Sequence, residues 1–274
     1  MDGFYQKSVK PRPRFEWSSK YIFRPLAHLV VVPLSRTPVT PPMVVMFHTL
    51  LGLYAVALIP QGQTLLPAFL MQIKTVLDGA DGQLARATGQ TSETGRYLDT
   101  NMDFVVNTAL FLAIGAQSGQ WLQAFLGWVL LALIGTTDFQ WEAAHQRSRG
   151  NTFRATPEQQ NDNPLVLALM KGFYNVVFGP QDRLIRAWND GRFQAITRQA
   201  RPDQLQEASQ VYHTPRILDF SMNMGLATQF LLAGVCIALG RPLWYVYALY
   251  VQAGVLLLLQ GYREHLTREF LKKS

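Results

Sequence analysis

Five stretches of this chain are strongly apolar, residues 41–60, 64–77, 104–137, 220–239 and 243–262, and the segments between them are polar and basic. A hydrocarbon core about 30 Å thick needs roughly 20 helical residues, and most of the stretches reach that length. The run at 104–137 is long enough for two crossings if it is split at Gly115 to Gly119. The stretch at 64–77 reaches a membrane's thickness only if its helix continues through polar residues to Arg86. With those two adjustments the pattern predicts an all-α, polytopic membrane protein with six transmembrane helices.

The flanking segments have patterns of their own. Residues 1–17 read as a polar, proline-punctuated arm, and residues 18–36 mix apolar and basic positions as an interfacial helix does, with kinks expected at Pro25 and Pro33. Thr40 and Pro41 then supply an N-cap and a first helical residue for the opening span. The stretch 138–215 is too polar to cross a bilayer. Within it, Leu165 to Val177 and Leu184 to Ile196 keep apolar residues at helical spacing around the turn signal Gly179-Pro180, which predicts cytoplasmic amphipathic helices. The chain therefore divides into a cytoplasmic arm and interfacial helix (1–40), four spans (41–137), a cytoplasmic amphipathic insertion (138–215), and two final spans with a basic tail (216–274).

Composition changes this picture little. The chain is 49% apolar, yet its mean hydropathy is only +0.05, because the apolar residues are segregated into the spans. Charge gives an orientation. Lys7, Lys10, Arg12, Arg14, Lys20, Arg24 and Arg36 precede the first span, and Arg263, Arg268, Lys272 and Lys273 follow the last, so both termini are expected in the cytoplasm. The turns at 60–64, 115–119 and 239–243 would then face outward. The net charge of +7 suits contact with anionic membrane lipids, and the basic residues Arg147, Arg149, Arg154, Lys171, Arg183, Arg186 and Arg192 fit a lipid-facing or solvated surface, with phosphate binding as the alternative. No nucleic-acid signature is present, so no nucleic-acid partner is expected. The lone Cys236 lies in an apolar span and reads as a buried, inert thiol. Some 40 polar or amphipathic residues precede the first apolar run, so a signal peptide is not expected.

The candidate chemistry lies between Asp78 and Asp103. Asp78, Asp81, Gly82 and Ala85 share one stripe of a helix, and Gly95, Asp99 and Asp103 share a stripe of the next. Carboxylates inside a membrane are costly and mark function, and four together repel one another unless cations sit between them. Oxygen ligands without a Cys/His cluster point to a hard divalent cation, Mg2+ or Mn2+, and two such ions would neutralise the four charges. Gly82 and Ala85 leave room for a ligand, though small residues also serve close helix packing. Arg86 and the hydroxyl-rich loop 87–94 lead into a helix start suited to a diphosphate, and Ser92 or Thr94 could equally cap that helix. Lys74 and Asn107 are polar within the spans and receive no role.

Asp78, Asp81-Gly82, Ala85-Arg86, Gly95, Asp99 and Asp103 match, spacing for spacing, the D-x2-D-G-x2-A-R-x8-G-x3-D-x3-D signature of the CDP-alcohol phosphotransferase family. The resemblance is strongest over residues 37–117, although the T-P-N-like entry to the first span reads Thr40-Pro41-Pro42 here. It implies a membrane enzyme, usually a homodimer, that moves a substituted phosphate from a CDP-linked donor, CDP-diacylglycerol or another CDP-alcohol, to an alcohol acceptor with release of CMP. Carried over by position, Asp78, Asp81 and Asp99 would bind metal. Asp103 would contact the second ion and deprotonate the acceptor. Gly82, Ala85 and Gly95 would admit the CDP moiety, with Asp78 also beside it, and Arg86 would help hold it. The expected setting is phospholipid synthesis at a bacterial or archaeal inner membrane, with the active site on the cytoplasmic side. The competing reading is a divalent cation transporter or channel, since rings of aspartate also line cation pathways.

Overall fold

The computed structural model describes residues 7–8, 16–151 and 162–273; Lys10, Arg12, Arg14, Arg154 and most of the expected arm lie outside them. The described residues are all-helical. A π turn at Ser19–Phe23 leads into α1 (Arg24–Leu34), followed by α2 (Pro41–Ala57), α3 (Leu65–Ala87), α4 (Glu93–Ser118) and α5 (Trp121–Ser148). Then come α6 (Pro164–Val177), α7 (Gly179–Thr197), α8 (Leu205–Tyr212), α9 (Pro215–Ser221), α10 (Leu226–Ala238) and α11 (Leu243–Lys273).

Among the described residues, three helical stretches are long and apolar enough to cross a membrane, Pro41–Gln61, Trp121–Ser148 and Leu243–Lys273. A fourth arises if the pair Pro202–Met224 and Leu226–Ala238, bent by 42°, is counted as one. Helices α3 and α4 are 23 and 26 residues long, about 35–39 Å at 1.5 Å per residue, but each carries several charged side chains.

Local signals explain most boundaries. Thr40 is extended (φ −94°, ψ 154°) and Pro41 opens α2, where a missing N–H costs nothing. Pro25 sits in the first turn of α1 and so marks its start instead of kinking it, while Pro33 lies inside the last turn. The long apolar run splits where expected: α4 closes on Gly119 in the left-handed region (φ 71°) and α5 begins at Trp121. The Ser92 hydroxyl caps α4 by accepting from Gly95 N–H at 2.9 Å. No break falls at residue 138, and α5 runs on to Ser148.

The stretch 220–239 is not one continuous helix. It breaks at the 3-10 turn Met222–Met224, and Gly225 is extended (φ −66°, ψ 168°). The buried Glu16 carboxylate accepts from Thr228 N–H and from the Thr228 hydroxyl, both at 2.8 Å, so an acid from near the N-terminus caps α10. A Cβ at Gly225 would approach that carboxylate to 3.0 Å, which is why the close passage needs glycine.

One large apolar core joins α2, α3, α4, α5, α10 and α11, with Met71, Val106, Leu110, Phe230, Val246 and Leu249 fully or almost fully buried. A smaller cluster of Ala27, Val31, Val44, Ala80 and Leu84 packs α1 against α2 and α3. At Gly127, a Cβ would meet Phe111 at 2.7 Å and Val246 at 3.0 Å, so its absence permits α5 to close on α4 and α11.

Candidate metal and phosphoryl-transfer site

Helix α3 runs unbroken through Asp78, Asp81, Ala85 and Arg86, and α4 carries Gly95, Asp99 and Asp103 in its first half. Both helices pack on α2, which adds a residue outside the sequence motif. His48 is fully buried, and its Nε2 lies 3.0 Å from Asp81 Oδ2 and 4.0 Å from Asp78 Oδ1. One ligand atom from each of His48, Asp78, Asp81 and Asp99 falls within 4.8 Å of all the others, the one such gathering among the described residues. Asp99 Oδ1 is buried without a hydrogen-bond partner. An orphaned carboxylate oxygen facing two other carboxylates and an imidazole is a donor set that a hard divalent cation fits.

Asp103 stands apart from that group. It lies one turn deeper along α4 than Asp99, and its Oδ1 accepts a short hydrogen bond from Lys74. Lys74 lies one turn deeper along α3 than Asp78, is fully buried, and holds Nζ 3.6 Å from Asp78 Oδ1. The site thus has two layers: an outer one of three carboxylates with His48, and an inner one of Asp103 with Lys74. Asn107, the other polar span residue, leaves its Oδ1 buried and unpartnered.

The positions expected to admit a nucleotide are arranged around the outer layer. Gly82 leaves a gap that the Arg86 guanidinium borders, since a Cβ there would lie 3.3 Å from Arg86 Nη1. Arg86 Nε also donates to the Ser8 carbonyl at 2.6 Å. Gly95 has a local reason to be glycine, because a Cβ would come within 3.0 Å of the capping Ser92 hydroxyl. A cavity of about 640 Å³ opens beside Gly95, lined by Pro42, Gln90, Thr91, Ser92, Thr94, Leu98, Asp162, Asn163 and Val166.

Helix α6 and the residues before it reach this end of the site. Asp162 accepts from Glu93 N–H at 3.0 Å and Thr94 N–H at 3.3 Å, and Asn101 Nδ2 donates to the Met170 carbonyl at 3.2 Å. Lys171 pairs with Glu93 at 2.9 Å. Helix α6 is thereby fastened to the first turns of α4, while Leu165, Leu169 and Val176 stay exposed.

Residues 39–155 match the family model of the CDP-alcohol phosphatidyltransferases. Over this segment the chain is similar to CDP-alcohol phosphatidyltransferase domains. Similar proteins include a bifunctional IPC transferase and DIPP synthase of Rubrobacter xylanophilus, 31% identical over 39% of this chain and 26% of that protein. A second protein so named, from Aquifex aeolicus, is 35% identical over 35% of this chain and 22% of its own. An archaetidylinositol phosphate synthase of Pyrococcus horikoshii is 25% identical over 61% of this chain and 83% of its own length. The chain spans about a quarter of the two bifunctional relatives.

The family motif marks Asp78, Asp81, Gly82, Ala85, Arg86, Gly95, Asp99 and Asp103; of these the structure gathers Asp78, Asp81 and Asp99 with His48, sets Asp103 against Lys74, and holds Gly82 beside Arg86. His48 is what sequence reasoning missed. A lone histidine in an apolar span is ordinarily a core residue, and its one signal is that no other Asp, Glu, His, Lys or Arg lies between Thr40 and Lys74.

Proposed function

We propose that the protein is an integral membrane CDP-alcohol phosphotransferase that moves a substituted phosphate from a CDP-linked donor to an alcohol acceptor and releases CMP, in phospholipid synthesis. The observation that carries this reading is the convergence of Asp78, Asp81 and Asp99 with the buried His48, in a segment of that family. These four would hold Mg2+ or Mn2+. A divalent ion there would supply charge neutralisation for the diphosphate and make the acceptor hydroxyl more acidic.

The chain's own groups do the rest. Arg86, beside the gap at Gly82, offers a guanidinium to the phosphates of the nucleotide. Ala85 and the small Gly82 keep the stripe between the aspartates and Arg86 free for the CDP moiety. Asp103 takes the acceptor proton on a carboxylate oxygen, and the Lys74 ammonium keeps that carboxylate ionised and oriented until then. The hydrophobic walls of α2 and α10 exclude water from the inner layer, where Lys74 lies over the Phe230 ring at 4.4 Å.

The reading includes six spans, with α3 and α4 crossing although their carboxylates lower their hydropathy, and cytoplasmic termini set by the basic flanks. It also includes a homodimer. One relative is named an archaetidylinositol phosphate synthase, so polyol phosphates are among the acceptors to be tried. The alternative, a divalent cation pathway, requires polar groups continuing through the bilayer, whereas the inner layer is closed by the Lys74 ammonium and Phe230.

The test incubates the purified protein with CDP-diacylglycerol and other CDP-alcohols against a panel of alcohols and polyol phosphates, following CMP. Release of CMP that depends on both donor and acceptor is expected. No release with any pair, together with divalent cation flux into proteoliposomes, would replace this reading with the transporter.

A further inference from the structure

We infer that the Lys74 ammonium takes the place of a second metal ion, so that each chain binds one divalent cation, at His48, Asp78, Asp81 and Asp99. The inference rests on the metal-dependent reading above and departs from the two ions that four carboxylates alone would call for.

Lys74 is fully buried, and its Nζ bridges the two helices that carry the aspartates, bonded to Asp103 of α4 and 3.6 Å from Asp78 of α3. That bridging position is the one a second cation would need in order to share Asp78 and draw Asp103 into the cluster. The placement is built into the packing. Gly52 of α2 faces the lysine stem, where a Cβ would come within 3.3 Å of Lys74 Cγ, and Phe230 of α10 covers the ammonium at 4.4 Å. An unpaired ammonium here would bear the full cost of a charge in hydrocarbon, so its contacts with Asp103 and Asp78 hold it in place.

One ion satisfies the charges to within a single unit. The Asp103–Lys74 pair is neutral by itself, and three carboxylates with a neutral imidazole against one divalent ion keep a single negative charge. A second divalent ion would have to enter beside an ammonium that the fold gives nowhere else to go, and like charges at that separation repel strongly in a low dielectric. An ammonium also differs from a metal in having donors only and no open coordination position, so it fixes Asp103 without presenting a substrate oxygen.

The experiment counts Mn2+ bound to the full chain in detergent, by equilibrium dialysis, and reads its electron paramagnetic resonance spectrum. The wild type should bind one Mn2+ per chain with the spectrum of an isolated ion. Lys74→Met should bind two, with a spectrum broadened by coupling between neighbouring ions. Lys74→Arg, which keeps the charge, should stay at one, and adding Asp103→Asn to Lys74→Met should return the count to one. Two ions in the wild type, or a single ion in folded Lys74→Met, would overturn the inference. Should Lys74→Met not fold, the wild-type count still decides. Zero ions would sink the metal-dependent reading itself, and CMP release with two ions would sink only this inference.

Discussion

The ion pair between Lys74 and Asp103 makes the sharpest energetic prediction. Its side chains are 0% and 12% exposed, so neither charge is repaid by solvent when the other is removed. Removing one partner of a buried pair costs about 3–5 kcal/mol, because the survivor is left buried and uncompensated. Asp103→Asn leaves the ammonium with Asp78 alone at 3.6 Å, and Lys74→Met leaves two carboxylates without a countercharge. Methionine retains an apolar stem beside Gly52, so the change isolates the charge. The double variant has no orphaned ammonium and one carboxylate fewer. It should therefore cost well under the sum of the singles, with a coupling of about 2–3 kcal/mol, the upper end for contacting residues. Unfolding free energies from denaturing-detergent titrations in excess chelator would give the cycle. Chelator matters, since Mg2+ should partly restore Lys74→Met by occupying the vacated bridge. Additive single costs, within about 0.5 kcal/mol, would refute the claim that the two residues act through each other.

Activity should vanish in excess chelator and return with Mg2+ or Mn2+, and Asp78→Asn, Asp81→Asn and Asp99→Asn should each weaken Mn2+ binding by at least roughly 10-fold, as judged by dialysis, since an amide is a poorer ligand for a hard cation. Gly82→Leu should fill the gap beside Arg86 and abolish binding of a CDP-linked donor in calorimetry while size-exclusion chromatography shows an unchanged oligomer; normal turnover would leave helix packing as the reason for glycine. Arg263, 1% exposed, sits between the Trp141 and Tyr212 rings at 4.2 Å from each and donates to Asn189 Oδ1 at 2.6 Å and Gln260 Oε1 at 2.8 Å. Arg263→Ala leaves those two acceptors unmet at about 1–3 kcal/mol each, so detergent unfolding should weaken by a few kcal/mol while the Mn2+ count per chain stays the same.

Much of this protein could be read from its sequence because the decisive constraints are local. Helix stripes follow from a 3.6-residue period, so Asp78 with Asp81 and Asp99 with Asp103 were bound to share faces once α3 and α4 formed. The turn at Gly119 and the entry at Thr40-Pro41 are fixed by backbone preferences of single residues. The family signature lies wholly within one helix pair, and so it too was visible before any folding. What the sequence could not supply is which side chains arrive from elsewhere. His48 comes from α2, 33 positions before Asp81, and nothing in its apolar neighbourhood shows that it will point at a carboxylate. Lys74 and Asp103 are 29 positions apart, and their union depends on the crossing of α3 and α4 and on the space at Gly52. The break before α10 was hidden for the same reason, because it depends on Glu16 reaching Thr228 across 212 positions. Periodicity and propensity act over a few residues and set the helices. Buried charges find their partners across the packed bundle, where desolvation makes each pairing compulsory and only tertiary contact decides which pairings form.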